Sequence, residues 1–206
     1  MASPATSTKT AASKPPMAAI TLAAPNTDPG AMERLFLLEA YNPGNIGNYI
    51  ASDNLPAMRL MRQTIENRLK SPGEYGAKGA TSETDIVELG NQFAGFGSYP
   101  NLDAAMSENL AGILAIANNL RHPQQADYAQ FVADAITAAT EAVVPAVAKY
   151  ADVTAWRTAD HGPPKGRFKT LDTIGGNTFY STTPVPPMLP KHVKHSSPTR
   201  HPVKRK

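Results

Sequence analysis

One carboxylate stands where helical spacing least favours a charge. In AMERLFLLEAYNPG, Ala31 to Gly44, Glu39 follows the apolar run Leu35-Phe36-Leu37-Leu38. Residues three, four and seven apart share a helix face. Glu39 lies seven residues after Met32, four after Leu35 and three after Phe36, so it sits on the oily stripe. Being in the last turn, it also meets the negative end of the helix dipole. Desolvation and the dipole both favour the neutral acid and push its pKa upward. An acid that keeps its proton near neutral pH is what glycosidic bond cleavage uses. The alternative is a helix-end glutamate whose side chain reaches water past the stripe.

A set of aromatic residues is the second feature. Phe93, Phe96, Tyr99, Trp156, Phe179 and Tyr180 fall in segments of loop or β character, outside the long helical stretches. Such rings stack on sugars, and equally well build cores. Other chemistries lack their signatures. Neither GxGxxG nor GxxxxGK[ST] occurs, which leaves nucleotide binding without support. The histidines His122, His161, His192, His195 and His201 form no HExxH pair, and His161 beside Asp160 in TADHGPP reads as an exposed loop pair before it reads as a zinc site. There is no GxSxG elbow for a serine nucleophile. The absence of cysteine excludes disulfides and thiolate chemistry. The chemistry expected is that of side chains alone, with no metal and no cofactor.

Holding these residues requires a set of elements. Asp28-Pro29 is an N-cap with proline in the first turn, and the helix it opens should stop near Tyr41, before NPGNIGN. In DNLPAMRLMRQTIENRLKSPG, Asp53 or Asn54 caps a second helix with Pro56 in its first turn. Met58, Met61, Ile65 and Leu69 form its buried stripe, and Ser71-Pro72-Gly73 ends it. A short helix follows in TSETDIVELGNQF, where Ser82-x-x-Asp85 is a variant capping box. Asp103 caps AAMSENLAGILAIANNL, with Met106, Leu110, Ile113, Leu114 and Ala117 inward. In QQADYAQFVADAITAATEAVVPAVAKYA, Tyr128, Phe131, Ala135 and Ile136 share a face, and Pro145 ends or kinks the helix. After Asp152 the pattern turns to period two. VTAWRT and GRFKTLDTIGGNTFYST carry strand formers, with a two-residue turn at Gly175-Gly176 or Gly176-Asn177. Helices first and a small β element last predict an α+β fold, mostly α, without internal repeats.

The chain has 206 residues, room for one ordinary domain, and 41% of them are hydrophobic, enough for a real core. Its ends differ from its middle. Residues 1–27 are rich in Ala, Ser, Thr and Pro, and residues 182–206 are basic and rich in Pro. Neither has apolar periodicity to offset the entropy of ordering it, so both are expected to be flexible tails around a domain at 28–181. The last 26 residues hold six Lys or Arg and no acid, and the first 30 carry a net +1. Removing both from the chain's formal +3 leaves −4 for the middle. The basic tail can contact anionic polymers or simply stay solvated. No specific nucleic acid is implied. No transmembrane segment is expected, and MAAITLAAP is too short and broken for the apolar centre of a secretory signal.

Four segments, in order, resemble the SleB-type spore-cortex and cell-wall hydrolases. They are Glu39-Ala40, then AMRLMRQTIENRLKSP at Ala57 to Pro72, then Gln92-Phe93, then GGNTFYS at Gly175 to Ser181. The resemblance spans about Ala31 to Ser181. It implies a lysozyme-like helical domain closing on a small C-terminal β-hairpin, and cleavage of peptidoglycan glycan strands. Glu39 would be the general acid/base. Asn67 and Arg68 would support the cleft, Gln92 and Phe93 would line it, and Trp156, Phe179 and Tyr180 would form an aromatic wall beside the saccharide. Two features depart from the family. A second glutamate usual in an EARGE context is missing from EAYNPGN, and Asn177 stands where His is frequent. A lytic transglycosylase needs one acid/base only, because the sugar's own 6-hydroxyl attacks the anomeric centre. Single-glutamate chemistry therefore suits this chain, with a muramidase as the other outcome; Glu66, Glu74, Glu83 and Glu88 are the candidates for a second acid.

Without a secretory signal, such an enzyme would reach the wall of a host or target cell through a phage particle, a lysis programme or a secretion machine. Delivery machinery or an immunity protein would then be partners. The competing class is a non-catalytic structural or docking module of a phage or secretion apparatus that keeps a hydrolase-like scaffold.

Overall fold

In the computed structural model, which describes residues 18–89, 92–142, 148–166 and 168–182, five α-helices precede a three-stranded sheet. The helices are α1 (Asp28–Glu39), α2 (Ala51–Lys70), α3 (Glu83–Val87), α4 (Ala104–Ala117) and α5 (Gln125–Thr140). The strands are β1 (Val153–Thr158), β2 (Phe168–Ile174) and β3 (Asn177–Thr182), all antiparallel in the order β1-β3-β2. This is an α+β arrangement. The expected hairpin is β2–β3, and β1 adds to its other side.

Helix α1 is the centre of the helical part. Ala31, Met32, Leu35, Phe36 and Leu37 are completely buried, and the helix packs against α5, α3 and α4. Its cap is one residue earlier than the sequence suggests. Thr27 Oγ1 accepts from Gly30 N at 3.2 Å, which frees Asp28 for another role. The Asp28 carboxylate accepts from Thr84 N at 2.9 Å and Thr84 Oγ1 at 2.6 Å, tying the start of α1 to α3. Helix α3 opens with the expected capping box, Asp85 N donating to Ser82 Oγ and Ser82 N to the Asp85 carboxylate. It stops after five residues, well short of Gln92.

Helix α2 joins the two halves, packing on α5 with one side and on β1 and β2 with the other. Met58, Met61 and Ile65 of the expected stripe are fully buried, and Leu69 packs partly against the core. Its start differs from expectation. The helix begins at Ala51 without a side-chain cap, and Pro56 lies inside it. Helix α4 is capped by Asp103, whose Oδ1 accepts from Met106 N at 2.8 Å. Of its five expected inward residues only Ile113 and Ala117 are buried; Met106, Leu110 and Leu114 are partly exposed, because α4 lies at the periphery. Tyr128, Phe131 and Ala135 of α5 are buried together. Pro145 lies outside the described residues.

The expected flexible tail through Thr27 is corrected over its last ten residues. Ile20 and Leu22 pack against the core, and side chains hold the strap along its length. Asn118 pairs reciprocally with the Ile20 backbone (2.7 and 3.0 Å), Glu33 accepts from Ala23 N at 2.7 Å, and Tyr99 OH donates to Pro25 O at 2.5 Å. Residues 1–17 and 183–206 lie outside the described set.

The β2–β3 turn falls on Gly175-Gly176, with φ +56° and +74°. Both values lie in the left-handed region that glycine enters without strain, and they match the twist of a two-residue hairpin. Its tip is pressed against the helical part. A Cβ on Gly176 would stand 1.9 Å from the Tyr41 ring, and one on Gly175 3.0 Å from Ala57 Cβ. The chain leaving α1 and the second turn of α2 are thereby seated under one hairpin tip.

Candidate active site

Glu39 is the last residue of α1, and Ala40 N closes the helix on Phe36 O. Its side chain is half-buried, and Oε2 accepts from Trp156 Nε1 at 3.4 Å. Burial pushes its carboxyl above the ordinary 4.5, and the indole N–H offsets part of that rise. No ion pair involves Glu39 among the described residues. An acid so placed holds its proton longer than an exposed glutamate does.

Trp156 reaches Glu39 from β1, where it faces Phe179 across the ladder. Its ring stacks on Phe93 with centroids 5.4 Å apart and planes 24° from parallel. Phe93 in turn meets Phe96 edge to face. The Arg68 guanidinium from α2 lies 5.8 Å from both the Phe93 and Trp156 ring centroids. Arg68 Nε donates to Thr154 O at 2.9 Å, and Nη1 donates to Gln92 Oε1. Gln92 Nε2 donates on to Tyr75 O at 2.7 Å. Glu39, Arg68, Gln92, Phe93 and Trp156 thus form one contiguous set, although they come from α1, α2, the loop after α3 and β1.

The other named residues are placed differently. Asn67 clasps the start of β1, its Nδ2 donating to Ala151 O and Val153 O at 3.0 and 2.8 Å. Its Oδ1 accepts from Gln63 Nε2 at 3.0 Å within α2, so both ends of the amide have partners inside the protein. Phe179 and Tyr180, expected as an aromatic wall, are 0% and 2% exposed. They are core residues of β3, a central strand covered on both faces, and Tyr180 meets Phe168 edge to face. Trp156 is 9% exposed and Phe93 6%, so the rings here face one another more than solvent.

Of the four candidate second acids, two are placed at the other end of α1 from Glu39. Glu66 and Glu83 share Arg62, whose Nε lies 3.5 and 3.2 Å from them. With Asp28, Pro29, Leu69, Lys70 and Ala139 these three line a cleft of about 480 Å³ at the start of α1. Glu39 is at the far end of that helix, about 16 Å away at 1.5 Å per residue. Carboxylate pairs in glycoside hydrolysis stand about 5 to 9.5 Å apart, so Glu66 and Glu83 cannot partner Glu39 in this conformation. Glu74 and Glu88 are exposed. His161 sits on an exposed turn, its Nδ1 2.8 Å from Asp160 Oδ1 and 2.5 Å from Thr158 Oγ1.

Tyr41 is the neighbour that sequence reasoning missed. The sequence carried no signal for it, because the turn itself accounts for both glycines, and the contact with Gly176 appears only in the packed structure. Among the described residues no helix is long and apolar enough to cross a membrane. Comparison of the chain with known family models, with curated proteins and with solved structures finds no match.

Proposed function

We propose that the chain cleaves the glycan strand of peptidoglycan, with Glu39 as the single general acid/base, in a lysozyme-like domain of the SleB type. The observation that carries this reading is the environment of Glu39: a half-buried acid at a helix C-terminus, touched by an indole N–H, with burial raising its pKa. In the reaction its proton goes to the glycosidic oxygen as the C1–O bond breaks. The resulting carboxylate then takes the proton of the sugar's 6-hydroxyl as that oxygen bonds to C1, which leaves an anhydro end and restores the acid. A muramidase would use water in place of the hydroxyl. The separation of Glu39 from Glu66 and Glu83 favours the one-acid route.

In this reading the protein acts at a bacterial cell wall, carried there by a phage particle or a secretion machine, and the basic residues 191–206 assist by contacting anionic wall polymers. A second reading, a non-catalytic docking module on a hydrolase-like scaffold, is favoured by the burial of Phe179 and Tyr180, which leaves few ring faces for sugars. Release of dye from labelled peptidoglycan separates the two. The enzyme releases dye and Glu39→Gln does not, with the fold unchanged by circular dichroism. A folded natural protein that releases none belongs to the second reading.

A further inference from the structure

Arg68 is a cation without an anion. Its guanidinium lies against the stacked Phe93–Trp156 pair, 5.8 Å from each centroid, and burial lowers its pKa to about 10. No carboxylate lies within ion-pair distance of it among the described residues, and the residues outside that set contain no Asp or Glu. Two of its nitrogens are held by neutral oxygens, Thr154 O and Gln92 Oε1; Nη2 has no partner among the described residues. The contrast with Arg62 on the same helix is direct. Arg62 meets two carboxylates, Glu66 and Glu83, besides the carbonyls of Ala138 and Glu141.

An uncompensated buried charge is destabilising, and replacing it with an apolar side chain of similar volume is frequently neutral or better. Thr154 O, Gln92 Oε1 and the stacked Phe93–Trp156 pair hold the guanidinium in one orientation, which leaves a fixed planar donor, Nη2, without a partner among the described residues. A planar fork of this kind matches a carboxylate. We infer that Arg68 binds a carboxylate of the substrate, carried on the glycan strand either by a stem peptide or by a lactyl group whose peptide has been removed. This rests on the peptidoglycan reading. In that reading Glu39 acts on the sugar bond and Arg68 fixes the strand's register by a charge beside it, with Trp156 in contact with both.

The test uses the full chain carrying Glu39→Gln, so that bound wall material stays intact, and measures its co-sedimentation with three peptidoglycan samples. One is native, one has its carboxylates amidated with carbodiimide and ammonia, and one has its stem peptides removed by an amidase, which leaves the lactyl carboxylate. The expected result is about tenfold weaker binding to the amidated sample, with most of the difference removed by adding Arg68→Met and part of it by Arg68→Lys. The basic tail is present in every variant, so the part of the difference that vanishes with Arg68 belongs to Arg68. Binding to the stripped sample at native strength assigns the lactyl carboxylate, and loss there assigns the stem peptide. Equal binding to native and amidated samples overturns the inference; so does an Arg68→Met variant that discriminates between them as strongly as the chain with Arg68. Should Arg68→Met not fold, Arg68→Lys decides: it keeps the charge but loses the fork, so discrimination as strong as that of the chain with Arg68 overturns the inference. A protein that discriminates among the samples but cleaves none of them refutes the catalytic reading and leaves the carboxylate site standing.

Discussion

Gly176→Ala tests the contact that seats the sheet beside Glu39. At φ +74° an L-residue costs about 1–2 kcal/mol relative to glycine. The new Cβ would also stand 1.9 and 2.0 Å from two Tyr41 ring carbons, far inside contact distance. Either the ring swings out or the hairpin tip lifts off, and overpacking of this kind costs about 1–3 kcal/mol more. The expected loss is therefore about 2–5 kcal/mol, read as a shift of the urea midpoint at unchanged slope. The steric part has its own signature. In a Tyr41→Ala background the ring is gone, and the same glycine substitution should cost only the backbone share of about 1–2 kcal/mol. Gly175→Ala serves as the control, since its Cβ meets Ala57 and the Asp53 carbonyl and should show no such coupling to Tyr41. Because Tyr41 follows Glu39 by two residues, the same substitution should also lower wall cleavage beyond what lost stability explains. A Gly176→Ala protein within about 0.5 kcal/mol of the natural one, or one whose loss is unchanged by Tyr41→Ala, would refute the docked-tip geometry.

Three further outcomes are expected. Glu39 is held above its ordinary 4.5 by burial, so its contribution to stability is fully present below about pH 4.5 and is lost as pH rises through the folded value. Glu39→Gln should therefore be the more stable protein at pH 7, with the gap closing toward pH 4 in urea melts; a gap that does not vary with pH contradicts this. Trp156→Phe keeps the stack on Phe93 but removes the indole donor that lowers Glu39, so the carboxyl should titrate still higher by carbon-13 NMR, and an unmoved titration would deny the contact. Arg62→Met leaves Glu66 and Glu83 without their cation and should cost about 3 kcal/mol at neutral pH. Both carboxyls are already raised by burial, so that deficit should shrink as pH falls through the carboxylate range.

What the sequence makes legible is local. The Ser82-Asp85 capping box, the Met58-Met61-Ile65 stripe and the Gly175-Gly176 turn each follow from a few neighbouring residues, and each is present. The Thr27 cap was obscured because Asp28 is an equally good cap, and only contact with Thr84 decides between them. Phe179 and Tyr180 resisted reading for another reason. A central strand buried on both faces shows no alternation, so Asn177 to Ser181 gives no clue to which residues face a site. The meeting of Glu39 with Trp156 spans 117 residues and depends on β1 joining β3 and α2 bridging to the helices. Arg68 is plain in the sequence, but its lack of an acid is a property of the packed neighbours.

The most direct measurement is mass spectrometry of purified peptidoglycan digested with the natural protein and with Glu39→Gln. The single-acid reading predicts anhydro-muropeptides from the natural protein and none from the variant. Reducing-end products that vanish in the variant would require a second carboxylate and contradict the one-acid route. Undigested strands after treatment with the folded natural protein would contradict glycan cleavage itself.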